Sequence, residues 1–371
     1  MKIIHVVHGH LNKNTRVRIA SIVTQLAKEQ HVQGLDVEIW AISYREEVLK
    51  IDNVQTRYYS SLKNKLFLTS EMKEALNLVT SSTLFHFHGG FYLDYFVLSK
   101  ALVENKNQFV TTPYGAYNLS ELTQGYLKKK MYFDFFEKLF LDRTSLVFCA
   151  CEMEKEQLLS IKPGVRVDVL PNGYNLEDDD HLYLKTETPV FTYKGVLTEY
   201  SNGLDLLLLG FMKYRQWLKG TGKLRLIGQG FFENSVRALS KEHQLDEYIE
   251  IYNKKEDAQD VELLASSDAL FMTSRSGGLS EELLEAASYG VPCVISKSAT
   301  LIDYVIKYRS GIVLDKNTID QIALAMKNIE HMKETSSGEL LRYQVNAENM
   351  IEQEFNWKVV SMRMLNSYHT A

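Results

Sequence analysis

A short segment in the second half of the chain places glycines, a helix-capping hydroxyl and a carboxylate at the start of a predicted helix. Gly277 and Gly278 precede Ser280, a favoured N-cap residue, and the helix predicted to begin there ends at Gly290. Free backbone N–H groups at a helix N-terminus bind phosphate. Glu285 lies about one turn inside the helix, where its carboxylate would accept hydrogen bonds from ribose hydroxyls. The alternative for Glu285 is an ordinary solvated helix charge.

Four further loops of glycine and polar residues follow predicted strands, at residues 8–12, 86–90, 113–117 and 228–230. They supply the candidate site residues Gly9, His10, Asn12, His88, Gly89, Tyr114, Tyr117 and Gly228. Glycine lets a backbone approach a ligand closely. His86, on an alternating strand, is interpreted as structural. For His88, beside Gly89, a structural role and a place in the site remain open.

These loops belong to a regular alternation of β-rich runs and helical patterns, which indicates parallel sheets with crossover helices. Strands are predicted at residues 2–7, 35–42, 83–88, 109–112, 145–150 and 167–170, and then at 190–194, 223–227, 249–252, 269–273 and 292–296. The fold class is therefore α/β, with two doubly wound, Rossmann-like domains. Ligands bind beyond the carboxyl ends of strands in such sheets, so the loops predict a cleft between the domains.

The predicted domains cover residues 1–172 and 189–350. Residues 173–188 form a polar, acidic linker, and residues 351–371 form a C-terminal segment with a helix from about 357 to 368. Asp178–Asp180 in the linker could resemble a metal-binding cluster, but a solvated linker is the favoured interpretation.

Composition excludes several classes of protein. The 371 residues carry 42 Lys plus Arg against 47 Asp plus Glu, and this near balance argues against nucleic-acid binding. No apolar run approaches the ~18 residues of a membrane-spanning helix, and the N-terminal run is too short for a signal peptide. Three cysteines, an odd number, suit a reducing compartment. A cytoplasmic protein is predicted.

Aromatic residues are abundant, with 21 Tyr, 17 Phe and 3 Trp. Several stand at the glycine-rich strand ends: Phe91, Tyr92, Tyr114, Tyr117, Tyr193 and Phe231. Flat rings at these positions would stack on sugar or base faces.

The segment at residues 274–292 resembles the donor-site segment of family 4 glycosyltransferases. Further likeness lies at residues 170–173, 203–207, 265–269 and 355–357, and residues 86–90, 112–115 and 128–140 resemble bacterial polysaccharide-building members. The resemblance covers nearly the whole chain. It implies a GT-B fold, in which two domains face a central cleft and the last helix crosses back to the first domain.

The resemblance also implies an activity. A sugar would move from a nucleotide-sugar donor, UDP- or GDP-linked, to a glycan or lipid-linked acceptor with retention, in cell-surface polysaccharide assembly. No essential metal or other cofactor is expected. Gly9, Gly278 and Leu279 would contact phosphate or the donor sugar, and Glu285 would hold the ribose. Candidate acceptor-side residues are His10, Asn12, Arg16, Gly89 and Tyr117, and the candidates for chemistry are Tyr114 and His88.

Four positions depart from the family pattern. The first glutamate of the donor motif falls on Gly277, the phosphate-binding Arg and Lys fall on Val196 and Asn202, and a frequent His falls on Tyr114. Candidate replacement cations are Lys194, Lys254, Lys255 and Arg275, of which Arg275 is favoured, although it could equally be a surface residue. Two interpretations remain open. One is an active enzyme with a reshaped donor site, and the other is a silent GT-B protein that binds a glycan or stabilises a partner enzyme.

Residues 126–140 carry apolar side chains at roughly helical spacing with Lys128, Lys129 and Lys130 near one end. Such a helix can lie on an anionic membrane surface. The alternative is a helix packed on the core with a solvated basic turn. Peripheral membrane contact is therefore one expectation for this segment.

Overall fold

The structure, a computed structural model of the chain, describes residues 1–9, 11, 18–44, 47–61, 66–119, 122, 126–174, 186–198, 200, 202–253, 257–275, 281–335 and 338–371. Two compact units are present. The first is Met1–Gly173 together with Glu354–Ala371, and the second is Tyr174–Gln353. Most of the predicted linker, residues 175–185, lies outside the described residues.

The strands are β1 (Lys2–His8), β2 (Asp36–Ser43), β3 (Glu47–Ile51), β4 (Val54–Ser60), β5 (Thr83–His88), β6 (Phe109–Thr112), β7 (Leu146–Cys149), β8 (Val167–Val169), β9 (Val190–Lys194), β10 (Lys223–Ile227), β11 (Ile249–Tyr252), β12 (Ala269–Met272), β13 (Cys293–Ser296) and β14 (Gly311–Leu314). The helices are α1 (Arg18–Val32), α2 (Ser70–Asn77), α3 (Leu93–Glu104), α4 (Tyr126–Tyr132), α5 (Lys138–Arg143), α6 (Glu152–Ile161), α7 (Leu204–Gln216), α8 (Glu233–Glu242), α9 (Asp257–Ala265), α10 (Glu281–Ser288), α11 (Ile302–Tyr308), α12 (Ile319–Glu334), α13 (Glu339–Met350) and α14 (Trp357–Thr370). Two π-helical turns, Phe133–Glu137 and Ile351–Phe355, interrupt the helical segments.

Both sheets are doubly wound, as the alternating pattern predicts. The first has the order β3-β4-β2-β1-β5-β6-β7-β8, and the second has the order β11-β10-β9-β12-β13-β14. All pairs are parallel except β3–β4. The strand order reverses between β1 and β5 and between β9 and β12. These are the topological switch points, where ligands bind in this class of sheet.

Three strands escape prediction from the sequence: β3, β4 and β14. β3 is almost entirely exposed, so it lacks the apolar pattern that marks a core strand. The turn that joins it to β4 does carry a local signal. Asp52 and Asn53 have φ values of 47° and 67°, the conformation that two-residue hairpin turns require, and this pair could have revealed the hairpin.

The segment predicted as one amphipathic helix is α4, a π-helical turn and α5 in succession. Phe133 and Phe140 are buried in the core of the first unit, whereas Met131 and Phe135 are exposed. Core packing thus accounts for one face, and membrane contact by the other face stays a prediction. None of the described helices has both the length and the apolar character needed to cross a bilayer.

The last helix, α14, packs on the first sheet. Val360, Met364 and Tyr368 join a buried cluster that contains Ile3 and Phe148. Large apolar side chains at this spacing line one helix face, which explains why α14 folds as part of the first unit.

Candidate active site

At the switch point of the second sheet, an ion pair joins a strand end to a helix. Lys194, the last residue of β9, donates from Nζ to Glu285 Oε1 at 2.6 Å. Both side chains are largely buried, with 9% and 21% exposed. Glu285 lies in the second turn of α10, so this pair places a carboxylate and a cation together where the sequence predicts ribose and phosphate contacts.

Two glycines beside this pair allow two strand-end loops to touch backbone to backbone. A Cβ on Gly228 would lie 1.8 Å from the carbonyl oxygen of Gly195. One residue further, the Leu197 N–H donates to the Gln229 carbonyl at 2.9 Å. Gly228 therefore allows close approach between the loops after β9 and β10. Its predicted close approach to a ligand stays a prediction.

The N–H groups of the strand-end glycines are already used inside the sheets. Gly9, Gly89 and Gly228 donate to the carbonyl oxygens of Ile42, Thr112 and Tyr252 at 2.8, 2.9 and 2.9 Å. The N–H of Gly9 itself is therefore used inside the sheet, and the contact of the backbone near Gly9 with phosphate or the donor sugar stays a prediction. Gly9 does provide open space, because no atom of the described residues lies within 4 Å of a Cβ built on it.

Arg275, the favoured replacement cation, is held by an acid. Its Nη1 and Nη2 donate to Asp205 Oδ1 and Oδ2 at 2.7 and 2.6 Å, and Nη1 also donates to the Tyr200 carbonyl at 2.7 Å. The paired guanidinium lowers the pKa of Asp205 against the opposing effect of burial. The Arg275 charge is thus paired with Asp205, just as the Lys194 charge is paired with Glu285, but the carboxylate that Lys194 meets is the one predicted to hold the ribose.

The positions that lack the family's cations have other contacts. Asn202 Nδ2 donates to the Val196 carbonyl at 3.0 Å, and the Val196 side chain is 61% exposed. An amide and an isopropyl group supply no charge to a phosphate.

Several predicted site residues lie outside the described part of the chain. They are Gly277, Gly278, Leu279 and Ser280 on the donor side, His10, Asn12 and Arg16 on the acceptor side, and the cation candidates Lys254 and Lys255.

In the first unit, Tyr114 and His88 begin a buried hydrogen-bond chain. Tyr114 OH lies 2.8 Å from His88 Nδ1, His88 Nε2 lies 2.9 Å from His5 Nδ1, and His5 Nε2 lies 2.8 Å from Gln30 Oε1. Because the Gln30 oxygen can only accept, the chain runs in one direction, with Tyr114 donating to His88 and His88 donating to His5. His88 is 1% exposed, which places it behind Tyr114 and away from any ligand surface.

His86 belongs to the same polar cluster and ties it to α14. Its Nδ1 lies 2.6 Å from Tyr368 OH and its Nε2 lies 2.7 Å from Thr112 Oγ1. This geometry supports the structural interpretation of His86. Burial lowers the pKa of His5 to about 4 and lowers the pKa values of His86 and His88 well below their usual value.

One nitrogen from each of His5, His86 and His88 lies within 4.8 Å of the others, so their spacing alone could hold a metal ion. The partners argue for a different role. All six ring nitrogens bond to neutral protein groups, and these bonds include no carboxylate that would offset a buried dication. The ring nitrogens of the three histidines are therefore all engaged in hydrogen bonds with neutral groups.

A buried carboxyl group that sequence reasoning missed lies beside the glycine-rich loop after β5. Glu137 Oε1 accepts from the Phe91 N–H at 2.7 Å and from Tyr117 OH at 2.8 Å. A Cβ on Gly90 would lie 3.2 Å from the same oxygen. Tyr117 is 2% exposed, so it supports this loop from inside and does not face a ligand. No local signal in the sequence marks Glu137 as buried, because a single acid in a helical pattern is typical of a solvated charge.

Replacing Glu137 by Gln is expected to raise stability in alkaline solution. Burial raises the pKa of Glu137 from 4.5 to about 7. Ionisation of Glu137 is therefore less favourable in the folded state than in the unfolded chain. The free energy of unfolding falls as the pH rises from 4.5 through 7. At ~1.36 kcal/mol per pH unit the loss is about 3 kcal/mol above pH 7, and Gln avoids it while still accepting both hydrogen bonds. Urea unfolding at pH 5 and pH 8 measures this difference.

The matched control is Glu104→Gln, at the exposed end of α3, which should leave the pH dependence unchanged. A Glu137→Gln variant with the wild-type pH dependence would show that Glu137 ionises normally.

Two family models match this chain, and together they cover most of it. A model described as "Glycosyltransferase Family 4" matches residues 19–178, and one described as "Glycosyl transferases group 1" matches residues 176–347. The chain belongs to glycosyltransferase family 4. The predicted resemblance is confirmed, and the two matches together include both sheets apart from β1.

A curated relative of this family 4 chain is the putative colanic acid biosynthesis glycosyltransferase WcaL of Escherichia coli K12. It is 24% identical over 148 residues, which are 38% of this chain and 36% of the relative. The match thus spans about a third of the relative's own length.

Solved structures share the fold over its whole length. Anabaena Alr3699/HepE in complex with UDP has a TM-score of 0.71 at 12% identity, with full coverage of both chains. The lipopolysaccharide outer core galactosyltransferase WaaB has 0.71 at 17%, covering 100% of this chain and 99% of that one. A glycosyltransferase from Rickettsia africae has 0.72 at 14%, covering 100% and 98%. The fold is GT-B, as the resemblance implied.

Proposed function

We propose that this protein is a hexosyltransferase that moves a sugar from a nucleoside diphosphate sugar to a glycan or lipid-linked acceptor with retention, in cell-surface polysaccharide assembly. The observation that carries the proposal is the Lys194–Glu285 pair at the switch point of the second sheet. Family membership, the name of the WcaL relative and the UDP bound to the HepE structure support it. No metal or other cofactor is part of the proposed reaction.

Each residue of the pair would bind a different part of the donor. The Glu285 carboxylate would accept hydrogen bonds from the ribose hydroxyls, and the Lys194 ammonium would turn to the diphosphate. Negative charge grows on the diphosphate as its bond to the sugar breaks, so a fixed cation there stabilises the transition state more than the ground state. Without a donor the two groups neutralise each other, which keeps both ordered.

The first unit would bind the acceptor. Met131, Phe135 and Leu139 are exposed apolar residues that follow the lysines of α4 along the helical segment. An apolar surface next to basic side chains suits a lipid-linked phosphate at a membrane surface, which supports a lipid-linked acceptor and peripheral membrane contact at the cytoplasmic face.

The proposal is tested by thermal unfolding with UDP-, GDP- and dTDP-sugars, followed by transfer assays on free and lipid-linked glycans. A donor should raise the melting temperature, and proton NMR of the product should show the donor's anomeric configuration. If no nucleotide or nucleotide sugar changes the melting temperature, the enzyme proposal fails. The silent GT-B interpretation, which the uncharged Val196 and Asn202 favour, would then be the better account.

Glu285→Gln and Lys194→Met are each expected to weaken nucleotide binding about 10- to 100-fold, because a charge-assisted hydrogen bond contributes roughly 1.5–3 kcal/mol. Isothermal titration calorimetry measures this loss. Lys223→Met is the matched control, since Lys223 pairs with Glu250 at 2.9 Å but begins β10, at the opposite end of the strand. Unchanged affinity in both site variants would mean that the ribose lies elsewhere.

A further inference from the structure

The chain that leads from β12 towards α10 leaves the second sheet at residues 273–275, which we call the loop root. The pairing of β12 with β13 ends at Met272. Backbone carbonyls beyond the end of a strand lose their partners in the sheet and need other hydrogen-bond donors. In the loop root, side chains from neighbouring parts of the second unit are these donors.

Two serine hydroxyls at the end of β13 converge on the Ser274 carbonyl. Ser296 Oγ and Ser298 Oγ lie 2.7 and 2.6 Å from the Ser274 oxygen and 2.8 Å from each other. Each hydroxyl carries one proton, so only two of these three contacts are hydrogen bonds at any one time. Because each serine is within donating distance of the carbonyl, either one can hold it without the other.

Asn317 holds the carbonyl one residue earlier. It directly precedes Thr318, the N-cap of α12, and its Nδ2 donates to the Thr273 oxygen at 2.7 Å. Its Oδ1 is buried and has no hydrogen-bond partner among the described residues. A buried amide oxygen without a donor lowers stability, and an apolar side chain of similar size would avoid that loss. Stability alone therefore does not explain an asparagine at this position.

The start of α7 also contacts the loop root. Thr273 Oγ1 donates to the Gly203 carbonyl at 2.8 Å, and a Cβ on Gly203 would lie 1.8 Å from the Thr273 oxygen. Arg275 is held by Asp205 in the first turn of the same helix. Contacts from the connections after β9, β13 and β14 thus fix three consecutive residues at the carboxyl edge of the sheet, where ligands bind.

We propose that Ser296, Ser298 and Asn317 are positioning residues of the donor site, which fix the loop root so that the chain after it binds the donor diphosphate. The inference rests on the proposed glycosyl transfer and adds to it the residues that direct the phosphate-binding segment. The three side chains act through the two carbonyls and touch no donor atom. The predicted phosphate contacts at Gly278 and Leu279 follow the root closely in the chain, so a small displacement of the root misplaces them.

The place of the loop root predicts which part of the donor depends on it. The nucleoside would be held through its ribose by Glu285, which lies on α10, whereas the diphosphate would be held by the segment that follows the root. Loss of the root contacts should therefore weaken binding of ligands that carry the diphosphate and spare the nucleoside. A general loss of packing in the second unit would weaken the binding of both.

The first experiment compares Ser296→Ala, Ser298→Ala and the double variant by titration with the nucleoside and the nucleoside diphosphate of the base that the melting screen selects. Because either hydroxyl can hold the carbonyl, we expect each single variant to bind the diphosphate within about threefold of the wild type and the double variant to bind it about tenfold or more weakly. The affinity for the nucleoside should stay within about twofold in all three variants.

The matched control for the double variant is a second hydroxyl pair. Thr80 Oγ1 and Ser82 Oγ lie 2.9 Å apart in the first unit, and both are exposed. The double variant Thr80→Ala/Ser82→Ala should bind the nucleoside and the diphosphate as the wild type does.

Asn317→Leu tests the third contact independently. Leucine has a similar size, and it removes both the Nδ2 donor and the unpaired Oδ1. The melting temperature without ligand should therefore stay within about 3 °C of the wild type, while the affinity for the diphosphate falls about tenfold. A residue with a merely structural role would show the opposite pattern, a lower melting temperature with an unchanged preference for the diphosphate over the nucleoside.

The outcomes separate this inference from the proposed function. If the wild type binds nucleotides and both the double serine variant and Asn317→Leu keep their affinity for the diphosphate, the inference is overturned and the proposed function stands. Equal losses for nucleoside and diphosphate also overturn it, because the three residues would then support the second unit as a whole. If the double variant does not fold, Asn317→Leu decides. If the wild type binds no nucleotide, both proposals fall together.

Discussion

Acidification from pH 7 to pH 5 is expected to destabilise the first unit strongly, because His5, His86 and His88 are buried in their neutral form. Their pKa values in the folded protein lie well below the ordinary value of 6.5, and that of His5 lies at about 4. The unfolded chain therefore binds more protons in this range. Stability is fully present above about pH 6.5 and is lost as the pH falls.

Glu137 opposes this effect. Its pKa of about 7 means that the folded protein takes up a proton there that the unfolded chain does not hold until lower pH. Counting three histidines against one carboxyl, at ~1.36 kcal/mol per proton and pH unit, the net loss from pH 7 to pH 5 is about 3 kcal/mol. The Glu137→Gln variant lacks the compensation and should lose about 5 kcal/mol, a large part of the stability of most proteins.

Urea unfolding of both proteins across this pH range, followed by a probe in the first unit such as Trp40, measures the two slopes. His31→Gln removes an exposed histidine and should leave them unchanged. A pH-independent unfolding free energy between pH 5 and 7 in the Glu137→Gln variant would contradict the neutral, buried state of the cluster.

Gly228→Ala is expected to lower the free energy of unfolding by about 4 kcal/mol or more, which is in the upper range for one substitution. The same change is expected to abolish nucleotide binding. The φ of Gly228 is 151°, and its added Cβ would meet the Gly195 carbonyl oxygen at 1.8 Å. Two backbones cannot separate by rotating a side chain, so the loops after β9 and β10 must move apart. Lys194 directly precedes Gly195, so that movement also displaces the predicted phosphate cation.

Gly164→Ala is the matched control, because Gly164 has a φ of 85° with nothing within 4 Å of the added Cβ. It isolates the cost of the left-handed backbone, roughly 1–2 kcal/mol. Thermal unfolding of both variants separates the two causes. Equal losses in the two variants would mean that the loops have room to relax at Gly228.

The candidate site could be predicted in part. Glu285 follows from a local signal, a carboxylate one turn into a helix. Lys194 is at the sequence level only one of four candidate replacement cations, among which Arg275 is favoured, and the structure brings Lys194 to Glu285. Glu137 carries no comparable signal, because a single acid in a helical pattern reads as a solvated charge. Burial, which gives Glu137 its raised pKa, depends on the Phe91 loop and on Tyr117, 46 and 20 residues away.

Some aromatic residues at strand ends are buried and others are exposed, and the sequence does not show which are which. Tyr117 and Tyr193 are buried, and their hydroxyls bond to Glu137 and to the Val196 carbonyl. Phe231 is fully exposed, and the Tyr92 ring stacks on the His8 ring. Side-chain direction at a loop depends on backbone angles that the residue types alone leave open.

By itself, the sequence determined the fold class, eleven of the strands and the glycine-rich strand ends. These features follow from apolar periodicity and turn chemistry, which act over a few neighbouring residues. The tertiary structure decided which side chains meet: Lys194 with Glu285, and His86 with Tyr368, 282 residues away. Such contacts arise when parallel strands and their helices bring distant residues to one edge or face of a sheet, a geometry that no local pattern specifies.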